Sequence, residues 1–167
     1  AEYYQDYQAA MASDSEADWQ RVESMLSFGY AQHKNSYLAP YFLVLQAEAQ
    51  RKQGKIDQAL VTLNTAIQDA KLPSIKQLLS VKHALIQLDS SDTLVQDQGL
   101  HELIKASQEQ GDFTDYAKYY LGLYYFVHDN TADAKSVWQD LVDTQWLDKT
   151  QGSPWVALAQ QKLKQVQ

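Results

Sequence analysis

A chain of 167 residues is long enough for one domain with a core of its own, since a domain of this size buries roughly 70% of its unfolded surface. Its formal net charge is −7, and its 14 Lys and Arg are scattered, which argues against a phosphate-backbone partner, so nucleic acid is not expected. The absence of cysteine excludes disulfides and thiolate metal sites, and no run reaches the roughly 20 apolar residues of a membrane-crossing helix.

The sequence starts at Ala1 rather than methionine, so the chain reads as processed or trimmed, with a signal or anchor segment expected upstream. The N-terminal region, 1–35, predicts helices near 2–11 and 15–32, with Tyr3, Tyr4, Tyr7, Trp19, Val22 and Leu26 at recurring helical spacings. Between 36 and 145 the periodicity predicts helices near 37–53, 55–70, 74–88, 93–109, 114–128 and 131–144. The segment 153–167 predicts a last helix near 154–165, with Trp155, Leu158, Leu163 and Val166 as the apolar side of a cap. Pro73 and Pro154 fit first-turn positions, the latter behind Ser153 as N-cap, while Gly54, Gly111 and Gly152 fall between periodic segments. The acidic neighbours Asp14 and Glu16, Asp89 and Asp92, and Asp112 and Asp115 are expected to cap helix starts rather than to catalyse.

Helices of similar length in short-looped pairs call for a repeat test. Residues 54–67 and 129–142 share a phase, in which Ala59 aligns with Ala134, Leu63 with Trp138 and Ala66 with Leu141. Residues 94–106 fit the same phase with Gly99, Leu103 and Ala106. Ala59 to Gly99 is 40 residues and Gly99 to Ala134 is 35, close to the helix-turn-helix period of about 34. The pattern resembles a tetratricopeptide repeat. Its last unit is nearest the consensus, with Leu121, Gly122 and Tyr125 on the first helix and Ala134, Trp138 and Leu141 on the second. A helical glycine costs about 1 kcal/mol relative to alanine, so Gly122 is expected, with the small Ala134, to let the two helix backbones approach while Tyr125 and Trp138 fill the remaining space. Earlier units depart from the pattern at Gln46, Gln50 and Gln87. The expected fold is an all-α, single-domain, tetratricopeptide-like right-handed superhelix of antiparallel helix pairs, comprising N-terminal helices, about three degenerate repeats and a C-terminal capping helix.

The order of segments also resembles the soluble domain of the ancillary subunit of the bacterial Sec translocon. The resemblance rests on the layout of "SYLAPYFLVLQAEAQRKQGKIDQALVTLNTAI", "LLSVKHALIQL", "YAKYYLGLYYFVHDNTADAKSVWQDLV" and "SPWVALAQQKLKQV". It implies a place on the periplasmic side of an inner membrane, attachment only through an N-terminal anchor, and translocon subunits, periplasmic chaperones or exported chains as partners. A cytoplasmic or self-associating tetratricopeptide adaptor unrelated to secretion is the alternative.

In such repeats the first helix of each pair faces inward. The register places Tyr41, Val44, Glu48 and Arg51, then Val81, Ala84 and Leu88, then Tyr116, Tyr119, Leu123 and Phe126 on that face. An exposed apolar face of this kind suits a protein or peptide segment. The residues leave a second arrangement open, in which the N-terminal helices fold back into the groove or two chains pair across it as a homodimer. Chemistry finds little support. His33, His83, His101 and His128 lack metal-ligand spacing, and no nucleophile elbow, P-loop or dinucleotide fingerprint is present. The Asp-Ser-Ser-Asp run at 89–92 lacks the alternating ligands of a calcium loop. A helical-repeat hydrolase needs two converging acids, and the register gives only Glu48. No cofactor or metal is expected, and the chain reads as a non-catalytic interaction module.

Overall fold

The computed structural model describes residues 2–145 and 152–166, and every regular element among them is an α-helix. In chain order these are α1 (Glu2–Ser13), α2 (Glu16–His33), α3 (Ala39–Lys52), α4 (Ile56–Asp69), α5 (Pro73–Leu88), α6 (Thr93–Gln108), α7 (Thr114–Val127), α8 (Thr131–Gln145) and α9 (Pro154–Gln165). Each starts and stops within two residues of where the periodicity places it. The Tyr3 side chain, read as part of the N-terminal stripe, lies outside the described residues, as does Gln167.

Local chemistry sets the helix ends. Ser15 caps α2 by accepting the Asp18 N–H at 3.2 Å. Pro73 and Pro154 open α5 and α9, where a missing N–H costs nothing. Gly54, at φ +73°, turns the chain out of α3 through the left-handed region. Asp92 accepts the Leu94 N–H at 2.9 Å. Three expected caps are corrected, the first being Asp14, whose carboxylate accepts from the Trp19 indole N–H at 2.9 Å and from Lys52 at 3.2 Å while Ser15 caps α2. Ser153 stands at the N-cap position of α9, yet its side chain makes no capping hydrogen bond. Asp89 sits at the C-terminal end of α5 rather than at a helix start, and its carboxylate accepts from Arg51 at 3.1 Å.

The chain forms two compact units, Ala1–Gly99 and Leu100–Gln167, with the division inside α6. In unit 1, α3 lies between α2 and α4, and α4 packs on α5. Short links between packed neighbours make them antiparallel. Helix α3 therefore buries two stripes. Leu43 and Ala47 meet Ala59, Leu63 and Ala66 of α4, while Ala49 meets Trp19, Val22 and Leu26 of α2. Ala47, Ala49, Ala59 and Ala66 are wholly buried, and their small side chains let the helix axes approach. In unit 2, α7, α8 and α9 pack against one another around Ala134, Trp138, Leu141, Val156 and Ala159.

Two of the three departures from the repeat pattern, Gln50 and Gln87, have packing reasons, and Gln46 has none in the structure. Gln50 is buried between three helices, donating to Glu23 of α2 at 3.0 Å and accepting from Thr62 of α4 at 2.8 Å. Glu23 also accepts from Gln53 at 2.9 Å and Lys55 at 3.0 Å. A polar cross-link thus occupies a place where an aromatic side chain is usual. Burial works against the Glu23 charge, but the hydrogen bonds from Gln50, Lys55 and Gln53 outweigh it and hold the carboxyl below its ordinary range. A carboxyl depressed on folding contributes stability above its unfolded value of about 4.3, and that stability is lost as pH falls through the lower folded value. Urea midpoints are therefore expected to drop below about pH 4. Glu23→Gln is expected to lower the midpoint at pH 7 and flatten this acid limb; an unchanged limb in the variant would sink the assignment.

Gln87 is explained by Gly99. A β-carbon on Gly99 of α6 would lie 2.7 Å from the Gln87 β-carbon and 2.8 Å from the Ala84 carbonyl oxygen of α5. The small residue of this pair has moved to the second helix, and the first helix carries the longer side chain.

Candidate functional site

The side chains expected to line an inner face fall in both units and are taken unit by unit. On α3, Tyr41 is exposed, Val44 packs against the core, and Glu48 and Arg51 are half-buried. On α5, Val81 and Ala84 are completely buried and offer no side-chain surface, while Leu88 is half-buried. On α7, Tyr116 and Tyr119 are buried, Leu123 is half-buried, and Phe126 is 37% exposed. The repeat-signature residues Ala59, Leu63, Ala66, Gly99, Leu103, Ala106, Leu121, Gly122, Ala134, Trp138 and Leu141 are all buried, and Tyr125 is half-buried.

In unit 1 the half-buried pair is a structural clamp. Arg51 donates to both Glu48 oxygens, at 3.0 and 2.6 Å, and reaches Asp89 at 3.1 Å, tying α3 to the end of α5. Burial raises the Glu48 carboxyl, yet the Arg51 hydrogen bonds and charge, with Lys82 and Lys52 behind them, bring it below its ordinary value. Burial lowers the Lys82 ammonium, with Glu48 opposing. From α1, Tyr7 stacks edge-on against Trp19 at 5.7 Å, and its hydroxyl is raised by burial and then by the Glu48 charge. Tyr4 stays 60% exposed, so only part of the N-terminal stripe turns inward.

In unit 2 the part of the expected face at Tyr116 and Tyr119 is filled by the chain itself, while Phe126 reaches solvent. Trp155 of α9 lies 4.7 Å from Tyr116, 5.6 Å from Tyr119 and 5.8 Å from Tyr120, ring centre to ring centre. The capping helix thus supplies the aromatic side chain that covers these tyrosines.

The carboxyls with resolved shifts, Asp14, Asp18, Glu23 and Glu48, all lie below their ordinary values, the reverse of what a general acid needs. Among the described residues no group of three or more His, Asp or Glu is placed to hold a metal ion. His33 stacks on Phe42 at 5.8 Å, and His128 lies on Tyr124 at 4.1 Å with Nδ1 2.8 Å from the Tyr124 carbonyl.

One feature escaped the repeat register. The turn from α2 to α3 and the turn from α4 to α5 enclose a cavity of about 480 Å³ in unit 1, lined by Lys34, Tyr37, Tyr41, Lys71, Leu72 and Ile75 among others. Only Tyr41 belongs to the expected face. The signal was available, since Lys34 and Lys71, Tyr37 and Leu72, and Pro40 and Pro73 each stand about one repeat apart. A register that follows helices alone leaves turns out.

No known protein family matches the chain, and no curated protein does. Two solved structures of kinesin-light-chain-like repeats from Podosopora anserina, described as nearly identical TPR-like repeats, are similar in fold. One, a single-substitution variant, gives a TM-score of 0.62 at 12% identity; the other gives 0.60 at 13%. Both alignments cover 98% of this chain and 84% of theirs. The fold is all-α and tetratricopeptide-like.

Proposed function

We propose that this chain is a non-catalytic module that binds protein partners. The observation that carries the reading is a helical-repeat fold that leaves large apolar side chains in water, with Tyr37 at 74% exposed, Leu38 at 61% and Tyr41 at 47%. Glu48, the acid that the repeat register places on the expected face, is already gripped by Arg51, which is in keeping with this reading.

The finer reading is an accessory role on the periplasmic side of a Sec translocon, with chaperones or exported chains as partners. Its support is the resemblance in segment order and helical phase to the ancillary translocon subunit. No helix among the described residues is long and apolar enough to cross a membrane, so this reading requires an anchor outside the described helices.

A photo-crosslinking amino acid placed at position 41, and separately at position 126, of the full-length protein in its own cells tests both levels. Tyr119 is too buried to report on a partner, whereas Tyr41 and Phe126 reach solvent. Capture of translocon subunits, periplasmic chaperones or exported chains is expected. Capture of only cytoplasmic proteins, or of a second copy of this chain, would overturn the secretion reading. No capture at either site would overturn the interaction reading as well.

A further inference from the structure

The cavity between the two turns of unit 1 combines the apolar side chains of Pro40, Leu72 and Ile75 and the rings of Tyr37 and Tyr41 with two lysines and one aspartate. Lys34 closes α2 and Lys71 follows α4, and neither has an ion-pair partner among the described residues. Asp69 is the carboxylate on the described wall, and it is engaged by the Tyr30 hydroxyl at 2.6 Å. That hydrogen bond, with burial and the Asp69 charge behind it, pushes the Tyr30 hydroxyl up to about 12. The bond also joins α2 to α4, the two helices after which the lysines stand. A neutral hydroxyl leaves the Asp69 charge in place, so two lysines against one carboxylate give this wall a formal charge of +1 in a chain of net charge −7.

The volume of about 480 Å³ admits one or two large apolar side chains. Apolar surface continues outside it. Tyr37 is mostly in solvent, Leu72 is 43% exposed, and Leu38 stands next in sequence to the wall without being part of it. An occupant confined to the cavity leaves that rim in water, whereas an extended chain covers it.

We propose that this cavity docks a short acidic and apolar peptide segment of a partner protein, with a large apolar side chain in the cavity and neighbouring carboxylates on Lys34 and Lys71. The proposal rests on the interaction reading above and names the partner chemistry for one site. Each lysine-carboxylate pair in water is worth well under 1 kcal/mol, so the apolar side chain carries affinity and the charges carry selectivity.

The test is an amide NMR titration of the whole chain with acetyl-Leu-Phe-Asp-Glu-amide, and with acetyl-Leu-Phe-Lys-Lys-amide as control. Saturating shifts confined to the amides of residues 34–41 and 69–75 are expected, with the basic peptide binding about tenfold more weakly. Combining Lys34→Glu with Lys71→Glu should remove or reverse that preference without changing the rest of the spectrum. Absence of shifts in those amides at millimolar peptide overturns the proposal, and so does equal binding of the two peptides. Capture at position 126 in cells alongside a failed titration leaves the interaction reading standing and this site refuted. Capture at neither position refutes both.

Discussion

Replacing Trp138 with alanine is expected to destabilise unit 2 by about 3–5 kcal/mol, the cost of deleting a large aromatic side chain from a packed core. Trp138 is fully buried among Ala134, Leu141, Val156 and Ala159, and its indole N–H donates to the Tyr119 carbonyl at 3.1 Å. The same ring explains the glycine in the middle of α7. A β-carbon on Gly122 would lie 2.6 Å from both Cδ1 and Cε2 of Trp138 and closer still to Nε1. The ring is held by its hydrogen bond and its neighbours, so Gly122→Ala or Gly122→Leu is expected to cost about 1–3 kcal/mol through overpacking.

The two substitutions are coupled, and the coupling is more informative than either loss. All three nearest atoms to the hypothetical methyl belong to Trp138. With Trp138→Ala already in place, Gly122→Ala should therefore add a methyl to empty space and recover up to about 1 kcal/mol of helix propensity. Urea unfolding of the four chains, followed by circular dichroism because the fluorophore changes, measures the cycle. Should Trp138→Ala fail to fold, Trp138→Leu retains part of the volume and opens the same space. Equal cost of Gly122→Ala in both backgrounds would refute the contact as the reason for the glycine.

Helix positions were legible because each element carries its own period and its own stop signals, as with Pro73 and Gly54. That Gly122 serves close packing was legible too, since its unit stays close to the repeat pattern, but the expected neighbour was the small Ala134, whereas the Trp138 ring takes the space. The inner face was less so. Val81 and Ala84 share the phase of Tyr41, but phase states only which direction a side chain points, and whether another element already lies there is a tertiary fact. Trp155 shows the difference. Its sequence marks it as an apolar capping residue, and nothing local says that it covers Tyr116 and Tyr119. Gln50 reads as a lapse from consensus until Glu23 and Thr62, 27 and 12 residues away, are set beside it. Long-range polar partners leave no periodic trace.

Gly99→Ala is expected to lose about 1–3 kcal/mol, at the upper end of that range, although alanine is the better helix former by about 1 kcal/mol. The reason lies in what the new methyl meets. Beyond the Gln87 β-carbon at 2.7 Å, it faces the Ala84 carbonyl oxygen at 2.8 Å and the Leu88 nitrogen at 3.2 Å, both backbone atoms of α5. No rotamer change relieves any of the three, since a β-carbon, like a backbone atom, moves only with its helix. Truncating the opposing residue with Gln87→Gly removes one of the three contacts and leaves the other two. Rescue of Gly99→Ala by that change should thus be partial at best, in contrast to the full relief expected at Gly122 when Trp138 is removed. Urea midpoints of the full chain carrying each substitution and both together measure the difference. Complete rescue would show that side-chain crowding, rather than the close approach of α5 and α6 backbones, fixes glycine at this position.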